Sequence, residues 1–333
     1  MPELRKDPVV GRWIIMATER ARRPGNIVEA SGNAASLNGK DQCPFCHSTE
    51  KHVCEKKSSK AQSRVVVFPF TKSFFSTKEK FSLKHNGLYE SANVFGSHEV
   101  VVETAEHIEN MADLSVAQIA LVLETYAERL DVFKNIDGCH YALIYKNFGN
   151  LAGGRKVQHA RSHIIASAVE PFGLKEKLST AREYFSAKGS CLYCDLIAQE
   201  IKDGKRVVAE SKNFVVLTPY AGRFLFELNI YPKKHAPHFE EEMTPEVADD
   251  LASMLKLILM KFKVGLDNPS YNFVIQTAPL CKKGESHDFY HWRMELAPRL
   301  TQTAGFEKGT DFFINSIPPE YTAQYLREVK LDG

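Results

Sequence analysis

The chain has 333 residues, of which 44% are hydrophobic and 25% are charged, and its formal net charge is only +2 at pH 7. This is the composition of an ordinary soluble globular protein, and the small charge gives no indication of a nucleic-acid partner. The first residues lack an apolar signal core, and no apolar run approaches the roughly 18 residues that cross a membrane. We therefore expect a cytoplasmic protein with no membrane partner, built from two domains of about 150 residues.

The first half is predicted to combine several strands with one long helix. Ser115 stands three residues before Gln118 in the form of a capping box, and the apolar spacing beyond it predicts a helix to about residue 133. Residues 28–42 read as a surface loop. Extended or β-rich runs predict strands at residues 9–16, 64–68, 98–103, 141–145 and 164–167.

The second half repeats this order of elements. Thr244 supplies an N-cap and Pro245 the first helical position of a helix to about residue 264, and residues 271–276 again read as a strand. The boundary between the halves is predicted within residues 175–188. This gives one domain over 1–178 and a second over 179–333.

Two CxxC pairs, each followed by two histidines, indicate that the halves arose by duplication. In a reducing compartment such pairs are metal ligands more readily than disulfides. Two thiolates and two imidazoles fill a tetrahedral zinc shell and leave no open position, which is typical of structural sites. The predicted ligands are Cys43, Cys46, His98 and His159 in the first half, and Cys191, Cys194, His235 and His291 in the second, with His238 and His287 as alternatives to the last two. The other cysteines, Cys54, Cys139 and Cys281, are expected to be bystanders.

A polar segment near the middle of the chain indicates a nucleotide site. On a strand, the alternation of side chains places His159, Arg161 and His163 on one face. Just upstream, residues 147–154 form a glycine-rich turn, in which the backbone amides of Gly153 and Gly154 could approach a phosphate.

These motifs resemble the galactose-1-phosphate uridylyltransferase family of the histidine triad superfamily, including its plant ADP-glucose phosphorylase branch. The resemblance implies an α+β fold of two tandem histidine-triad-like domains, each an antiparallel sheet with a covering helix, and usually a homodimer. It implies one zinc per domain, held by the two sets of ligands named above. It also assigns Arg20, Arg23, Asn147 and Arg293 to the nucleotide phosphates. The matching segments lie at residues 5–8, 20–24, 43–46, 96–100, 147–154, 159–163, 287–293, 298–300 and 304–315.

The sequence departs from this family at the reactive position. The family motif is His-Pro-His-x-Gln, in which the middle histidine attacks the α-phosphorus, and this chain has Arg161 there and His163 in place of the glutamine. A guanidinium stays protonated and has no available lone pair, so it cannot replace imidazole as a nucleophile. In the second half a related His-Trp-His pattern has become His291-Trp-Arg293, and Phe70 stands where the family has an asparagine.

Three functions therefore compete, and the unremarkable net charge disfavours one of them, a nucleic-acid-binding module built from the duplicated zinc sites. In the first, the protein transfers a nucleotidyl group between a nucleotide sugar and phosphate, a sugar 1-phosphate, pyrophosphate, sulfate or water by direct displacement, with Arg161 as an electrostatic clamp and His163 as acid or base. In the second, it is a catalytically silent relative that senses a nucleotide or sugar phosphate, or serves as a partner subunit. Arg161 and Arg293 could instead be structural ion-pair residues, with Glu295 as a partner for Arg293.

Overall fold

The structure is a computed structural model that describes residues 2–16, 39–48, 51–58, 63–154, 157–280 and 286–331. Arg20, Arg23, Cys281 and most of the predicted loop at 28–42 lie outside these residues. Within the described ranges, every helix is too short or too polar to span a lipid bilayer.

Most strands belong to one antiparallel sheet that runs through both halves of the chain. Its ten strands follow the order β3-β4-β7-β9-β8-β13-β14-β12-β11-β10. The first-half strands are β3 (Cys54–Ser58), β4 (Ser63–Pro69), β7 (Gly96–Val102), β8 (Tyr141–Phe148) and β9 (Arg161–Ser167). The second-half strands are β10 (Val207–Glu210), β11 (Phe214–Leu217), β12 (Leu228–Pro232), β13 (Tyr271–Gln276) and β14 (Arg293–Pro298).

The two halves of this sheet have the same topology. In each half, three strands precede the long helix and two follow it, and the last strand of the chain segment inserts between the third and the fourth. The halves join where β8 pairs with β13, with Tyr145 opposite Val274. The predicted fold class is confirmed, and the two five-stranded units additionally fuse into one continuous sheet.

One long helix from each half covers the same face of the sheet. Helix α1 (Val116–Lys134) begins after Ser115, whose side chain accepts a hydrogen bond from the Gln118 amide, and α4 (Pro245–Gly265) begins after Thr244 in the same way. Both follow the predicted boundaries to within about one residue. Their apolar side chains form the main core with the sheet, including Tyr126, Leu130, Leu255 and Ile258, all fully buried.

The opposite face of the sheet is covered at its two sides and is less covered in the middle. In the second half, α2 (Phe172–Lys188) and α3 (Leu192–Asp203) pack on it through Leu178 and Ile197. In the first half, Phe45 of the first CxxC segment packs on the outer strands. Between them, side chains of β8 and β9 alternate between buried and half-buried along each strand.

Two sequence predictions concern the limits of the first half, and the structure differs from the first of them. Of residues 9–16 only β2 (Trp13–Met16) is a strand, because the Asp7 carboxylate accepts hydrogen bonds from the amides of Val9 and Val10 and holds them in a turn. Residues 175–188 lie within α2 rather than in a linker, because Leu174, Leu178 and Ala181 recur at helical spacing and are buried. The limits 1–178 and 179–333 therefore fall inside a helix and stay a prediction.

A smaller antiparallel sheet lies beside the first half. Its order is β2-β1-β6-β5, with β1 (Glu3–Lys6), β5 (Leu83–Asn86) and β6 (Tyr89–Asn93). Leu4 and Ala92 form its core against Trp13 and Phe75. Two short helices, α5 (Gly305–Thr310) and α6 (Pro319–Glu328), end the chain.

Candidate functional site

The first cluster of metal-binding side chains joins the CxxC segment to the start of β9. Cys43, Cys46, His107 and His159 each bring a ligand atom within 4.8 Å of the others. The Nδ1 atom of His159 lies 3.4 Å from the Cys43 sulfur, and that of His107 lies 3.4 Å from the Cys46 sulfur. Two thiols and two imidazoles thus converge, a donor set that could hold a metal ion.

The fourth member of this cluster is His107, which corrects the prediction of His98. The register of β7 against β9 pairs Val102 with Arg161 and His98 with Ile165. The segment just beyond β7, and not its start, is therefore next to His159. At about 3.3 Å per residue, His98 is displaced from that position by about 20 Å along the strand. The second half of the sequence contains a signal for His107, because the equivalent ligand His235 also follows the end of its strand, β12.

The second cluster repeats the first and contains the four predicted residues. Cys191, Cys194, His235 and His291 bring their ligand atoms within 4.8 Å of one another. His235 Nδ1 lies 3.3 Å from the Cys194 sulfur. His238 lies elsewhere, with its Nδ1 3.7 Å from Glu240 and its ring packed against His287. These two histidines therefore do not replace His235 or His291.

Backbone carbonyls orient one histidine in each cluster in the same way. His159 Nε2 is 3.0 Å from the Thr104 carbonyl oxygen, and His291 Nε2 is 2.9 Å from that of Pro232. A proton on Nε2 leaves the lone pair on Nδ1, which faces the sulfurs, and this is the usual outer arrangement of a metal-bound histidine. The shared geometry shows that the two clusters were built on one plan.

The two thiols of the second cluster influence each other's pKa. A hydrogen bond from Cys194 lowers the pKa of Cys191 to about 4, and the pKa of Cys194 is raised in turn. In the first cluster, burial raises the pKa of Cys46 to about 11. Binding of a divalent cation would therefore release protons from these sulfurs.

Arg161 lies on the less covered strip of the sheet, with its guanidinium held by backbone oxygens. Its Nη1 donates to the carbonyls of Val157 and His159, the second at 3.3 Å. Among the described residues its guanidinium forms no ion pair with a carboxylate. Burial lowers the pKa of Arg161 and nearby Glu103 opposes this, and since a guanidinium titrates far above neutrality it remains a cation.

A buried ion pair fixes the strand beneath Arg161. Lys146 Nζ lies 2.6 Å from Glu103 Oε2 and donates to the Arg161 carbonyl at 3.0 Å. Both charged side chains are essentially inaccessible to solvent, at 1% and 0% exposure. On the same side, Tyr126 donates to the Ser162 hydroxyl at 2.6 Å. The position of Arg161 is therefore set from the core.

The glycine-rich turn lines a small cavity with Arg161 but uses its amides internally. The Gly154 amide donates to Gly149 O at 2.9 Å, and Gly153, at φ +89°, donates to Asn150 O at 3.3 Å. This corrects the prediction that these two amides contact phosphate. The cavity, of about 100 Å³, is lined by Glu109, Lys146, Asn147, Phe148, Gly149, Asn150, Gly154, Val157, Gln158, His159 and Arg161.

The second half holds this turn in place. Asn272 donates to the Asn147 side-chain oxygen at 2.6 Å and to the Ala152 carbonyl at 3.0 Å. A side chain at Gly149 would lie 2.3 Å from Ser270 Oγ, so only glycine fits there. Asn147 thus lines the cavity, with its side-chain oxygen already bonded, and its role as a phosphate ligand stays a prediction.

His163 lies two residues beyond Arg161 on the same face and contacts His98. Its Nδ1 is 3.0 Å from His98 Nε2, and its ring stacks on Tyr145 at 4.9 Å with an interplanar angle of 11°. Burial, with the charges of nearby groups, lowers the pKa of His163 to about 3. The imidazole is therefore neutral at physiological pH, which makes it a weak base.

The corresponding arginine of the second half is closed off. Arg293 is 4% exposed, and its Nη2 lies 2.8 Å from Glu295 Oε1 while Nη1 donates to the Tyr290 hydroxyl at 3.3 Å. Lys177 also bonds Glu295, at 2.9 Å. The Arg293 guanidinium lies over the Tyr193 ring, 5.1 Å from the ring centroid. These contacts correct the assignment of Arg293 to a nucleotide phosphate and agree with its alternative reading as an ion-pair residue.

A larger cleft follows the strip beyond His163. It has a volume of about 670 Å³, and its floor includes Leu143 and Ile165 of the central strands. Trp13 lies on one rim, and Arg223 and Phe313 of the second half lie on another. Small-molecule sites usually fall between about 300 and 1,000 Å³ and have mostly apolar walls. The cleft is therefore large enough for a nucleotide sugar.

Comparison with known proteins gives a consistent result over the chain. Residues 1–171 match the family model for the galactose-1-phosphate uridyl transferase N-terminal domain, and residues 177–306 match that for the C-terminal domain. ADP-glucose phosphorylase of Arabidopsis thaliana is 32% identical over 337 residues, covering 99% of this chain and 93% of the relative. Galactose-1-phosphate uridylyltransferase of Thermotoga maritima is 27% identical and covers 100% of both.

Solved structures show the same similarity. A crystal structure of an ADP-glucose phosphorylase from Arabidopsis thaliana with bound ADP-glucose has a TM-score of 0.75 at 30% identity and covers 100% of both chains. A uridylyltransferase structure has a TM-score of 0.80 at 27% identity, covering 98% of this chain and 97% of that one. The relatives named here are enzymes that act on nucleotide sugars or sugar phosphates.

Proposed function

Because the chain belongs to the galactose-1-phosphate uridylyltransferase family, we propose that it binds a nucleotide sugar beside Arg161 and transfers the nucleotidyl group by direct displacement. An acceptor oxygen, from phosphate or a sugar 1-phosphate, attacks the α-phosphorus. The bond from that phosphorus to the bridging oxygen breaks, and the sugar 1-phosphate leaves with the electron pair. No bond to the protein forms at any stage.

One observation carries this proposal: Arg161 is a cation that lines a cavity on the less covered strip, without a carboxylate partner among the described residues. Its charge is only partly offset, by Glu103, whose carboxylate is bonded to Lys146. A phosphate would complete the set of charges, and a guanidinium binds phosphate oxygens through two parallel hydrogen bonds. In a transition state at phosphorus, the same charge stabilises the equatorial oxygens.

The absence of an imidazole at position 161 supports a single displacement. The ring of His163 is the nearest equivalent, and its Nδ1 is engaged by His98 while burial makes the ring weakly basic. We assign Arg161 the role of clamp and His163 that of a polar contact to the transferred group. Arg20 and Arg23 stay predicted phosphate ligands outside the described residues.

We further propose that each Cys/His cluster holds zinc. Two sulfurs and two nitrogens suit Zn²⁺ in a tetrahedral arrangement, and four protein ligands leave no position for substrate. The metals would then stabilise the fold, and neither would take part in the reaction. A homodimer, as in the family, stays a prediction.

The proposal is tested first by ligand-induced stabilisation. Thermal unfolding is measured with ADP-glucose, UDP-glucose, ADP, UDP and AMP, because a ligand present at 100 times its Kd stabilises the folded state by about 2.7 kcal/mol. Arg161→Gln should reduce the shift, because nucleotide binding should weaken at least tenfold. Arg64→Gln is the matched control, since that arginine lies on β4 and pairs with Glu55 at 2.6 Å. No shift with any ligand would refute the nucleotide site.

Stereochemistry then separates the two mechanisms. With a nucleotide sugar that is chiral at the α-phosphorus, direct displacement inverts configuration, whereas two successive displacements through an enzyme adduct retain it. Arg161→His should restore an imidazole and produce a labelled protein adduct with a radioactive nucleotide sugar. Binding without turnover against phosphate, sulfate and pyrophosphate would instead identify the chain as a silent nucleotide sensor.

A further inference from the structure

Two departures from the family motif lie against each other, and both contact His98. His163 replaces the motif glutamine and Phe70 replaces an asparagine. The Phe70 ring centroid is 5.6 Å from that of His163 and 4.5 Å from that of His98. The three rings therefore form one unit beside Arg161, although they come from three different strand regions.

The aromatic surroundings fix both imidazoles. Tyr145 stacks on His163, and Phe75 meets His98 edge-on at 6.4 Å. Within this enclosure the hydrogen bond of 3.0 Å between His98 Nε2 and His163 Nδ1 is the sole polar contact of the His163 ring among the described residues. The remaining His163 nitrogen, Nε2, has no hydrogen-bond partner among the described residues.

The direction of this bond decides what His163 offers. If His98 Nε2 donates, His163 Nδ1 accepts, and the proton of the neutral ring must reside on Nε2. Both rings then have the tautomer that free imidazole side chains favour. The motif glutamine would present an amide N–H at this position, and the Nε2–H tautomer keeps a donor there. If His163 Nδ1 donated instead, His163 Nε2 would present a lone pair, and this lone pair would repel an anionic phosphate.

We propose that His98 is a positioning residue that holds His163 in the Nε2–H tautomer, so that His163 donates a hydrogen bond to a phosphoryl oxygen of the nucleotide bound at Arg161. This deepens the proposed function and rests on it for the identity of the ligand. It gives His98 a role in place of the metal ligation predicted from the sequence. It also explains why Phe70 accompanies His163, since its ring covers the hydrogen-bonded pair.

The tautomer is measured directly, without any assay of turnover. Protein labelled with ¹⁵N-histidine gives long-range proton–nitrogen correlations that distinguish Nε2–H from Nδ1–H, and His163→Gln identifies the signals of that ring. We expect Nε2–H for His163 in the wild type. His98→Leu should convert the signals to a mixture of tautomers, whereas His98→Gln, which keeps an N–H donor, should preserve them. His85→Gln is the control, because that histidine lies on the small sheet.

Nucleotide affinity tests the second part. His98→Leu and His163→Leu should weaken ADP binding by about tenfold, and His163→Gln should stay within about threefold of the wild type, because an amide can donate the same bond. Nδ1–H on His163, or unchanged tautomer and affinity in His98→Leu, would overturn the inference alone. If ADP and the other nucleotides fail to bind the wild type, the proposed function fails, and with it the ligand part of this inference.

Discussion

The two halves of the molecule share a plan but differ at one arginine. Arg161 and Arg293 each lie two residues beyond a histidine of a Cys/His cluster, on equivalent strands of a repeated topology. Arg293 is buried, paired with Glu295 and covered by Tyr193. Arg161 is held by carbonyl oxygens and lines a cavity. The same residue type forms a buried ion pair in one half and, in the other, lines a cavity without a carboxylate partner among the described residues.

The difference follows from what each half places around its arginine. In the second half, Arg293 has its own carboxylate partner in Glu295, which also binds Lys177 from α2. In the first half, Arg161 forms no ion pair with a carboxylate of the described residues, and nearby Glu103 is already bonded to Lys146. A cation without its own counterion is suited to bind an anion, whereas a neutralised one is suited to stabilise a core.

The largest expected effect concerns the Cys/His clusters, which both halves contain. Cys43→Ser and Cys191→Ser should each remove one metal from the folded chain and cost at least about 4 kcal/mol, because structural zinc contributes its binding free energy to folding. Elemental analysis should show two metals per wild-type chain and one per variant. Cys54→Ser, outside both clusters, should retain two. A wild-type protein free of metal would contradict the zinc assignment.

Replacing each arginine separately by glutamine sharpens the comparison of the two halves. Arg293→Gln should destabilise the protein by about 3 kcal/mol, since it leaves Glu295 buried without its closest partner. Arg161→Gln should change stability by no more than about 1 kcal/mol and yet weaken nucleotide binding at least tenfold. Denaturant unfolding and calorimetric titration give the two quantities. Equal loss of stability in both variants would show that Arg161 is structural too.

The Glu295 pair also predicts a pH dependence. Although burial disfavours its charge, Arg293 and Lys177 lower the pKa of Glu295 to about 2. A carboxyl with a lowered folded-state pKa stabilises above its unfolded pKa of about 4.3, so about 3 kcal/mol should be lost as pH falls from about 4.5 to 2. Glu295→Gln should remove this acid-dependent loss in urea titrations. Glu55→Gln, at an exposed pair, should leave it unchanged.

Local sequence signals predicted the elements well. Ser115 and Thr244 mark helix starts because a hydroxyl satisfies an amide that the helix leaves unbonded, and residues 271–276 form β13 as predicted. The prediction of an extended segment from residue 9 was wrong before Trp13, because the Asp7 carboxylate accepts a hydrogen bond from the Val9 amide and holds a turn there. Residues 175–188, where the domain boundary is predicted, lie within α2, and Leu174, Leu178 and Ala181 mark its buried face.

The site was less predictable because it depends on register and on distant partners. Spacing predicted the cysteines and His159, His235 and His291, but it predicted His98 where the structure has His107. Only the pairing of Val102 with Arg161 shows which histidine lies next to His159. The role of Gly154 could not be read from the sequence, because its amide can bond either a phosphate or Gly149. The sequence likewise does not show that Glu103 is paired with Lys146 and not with Arg161, because that depends on where the three side chains lie in the fold.

The smallest expected effect is the loss of stability on removing the N-cap of either long helix. Ser115→Ala should cost about 1 kcal/mol, because its hydroxyl accepts from the Gln118 amide at 3.1 Å. Thr244→Ala should cost less, since its bond to the Val247 amide is longer, at 3.4 Å, and Pro245 already fixes the backbone of the first turn. Ser115→Asp, which keeps an acceptor, is the control in thermal unfolding. A larger cost at Thr244 would show that the second half depends more on its helix start, and that the duplication has diverged in stability as well as at its arginines.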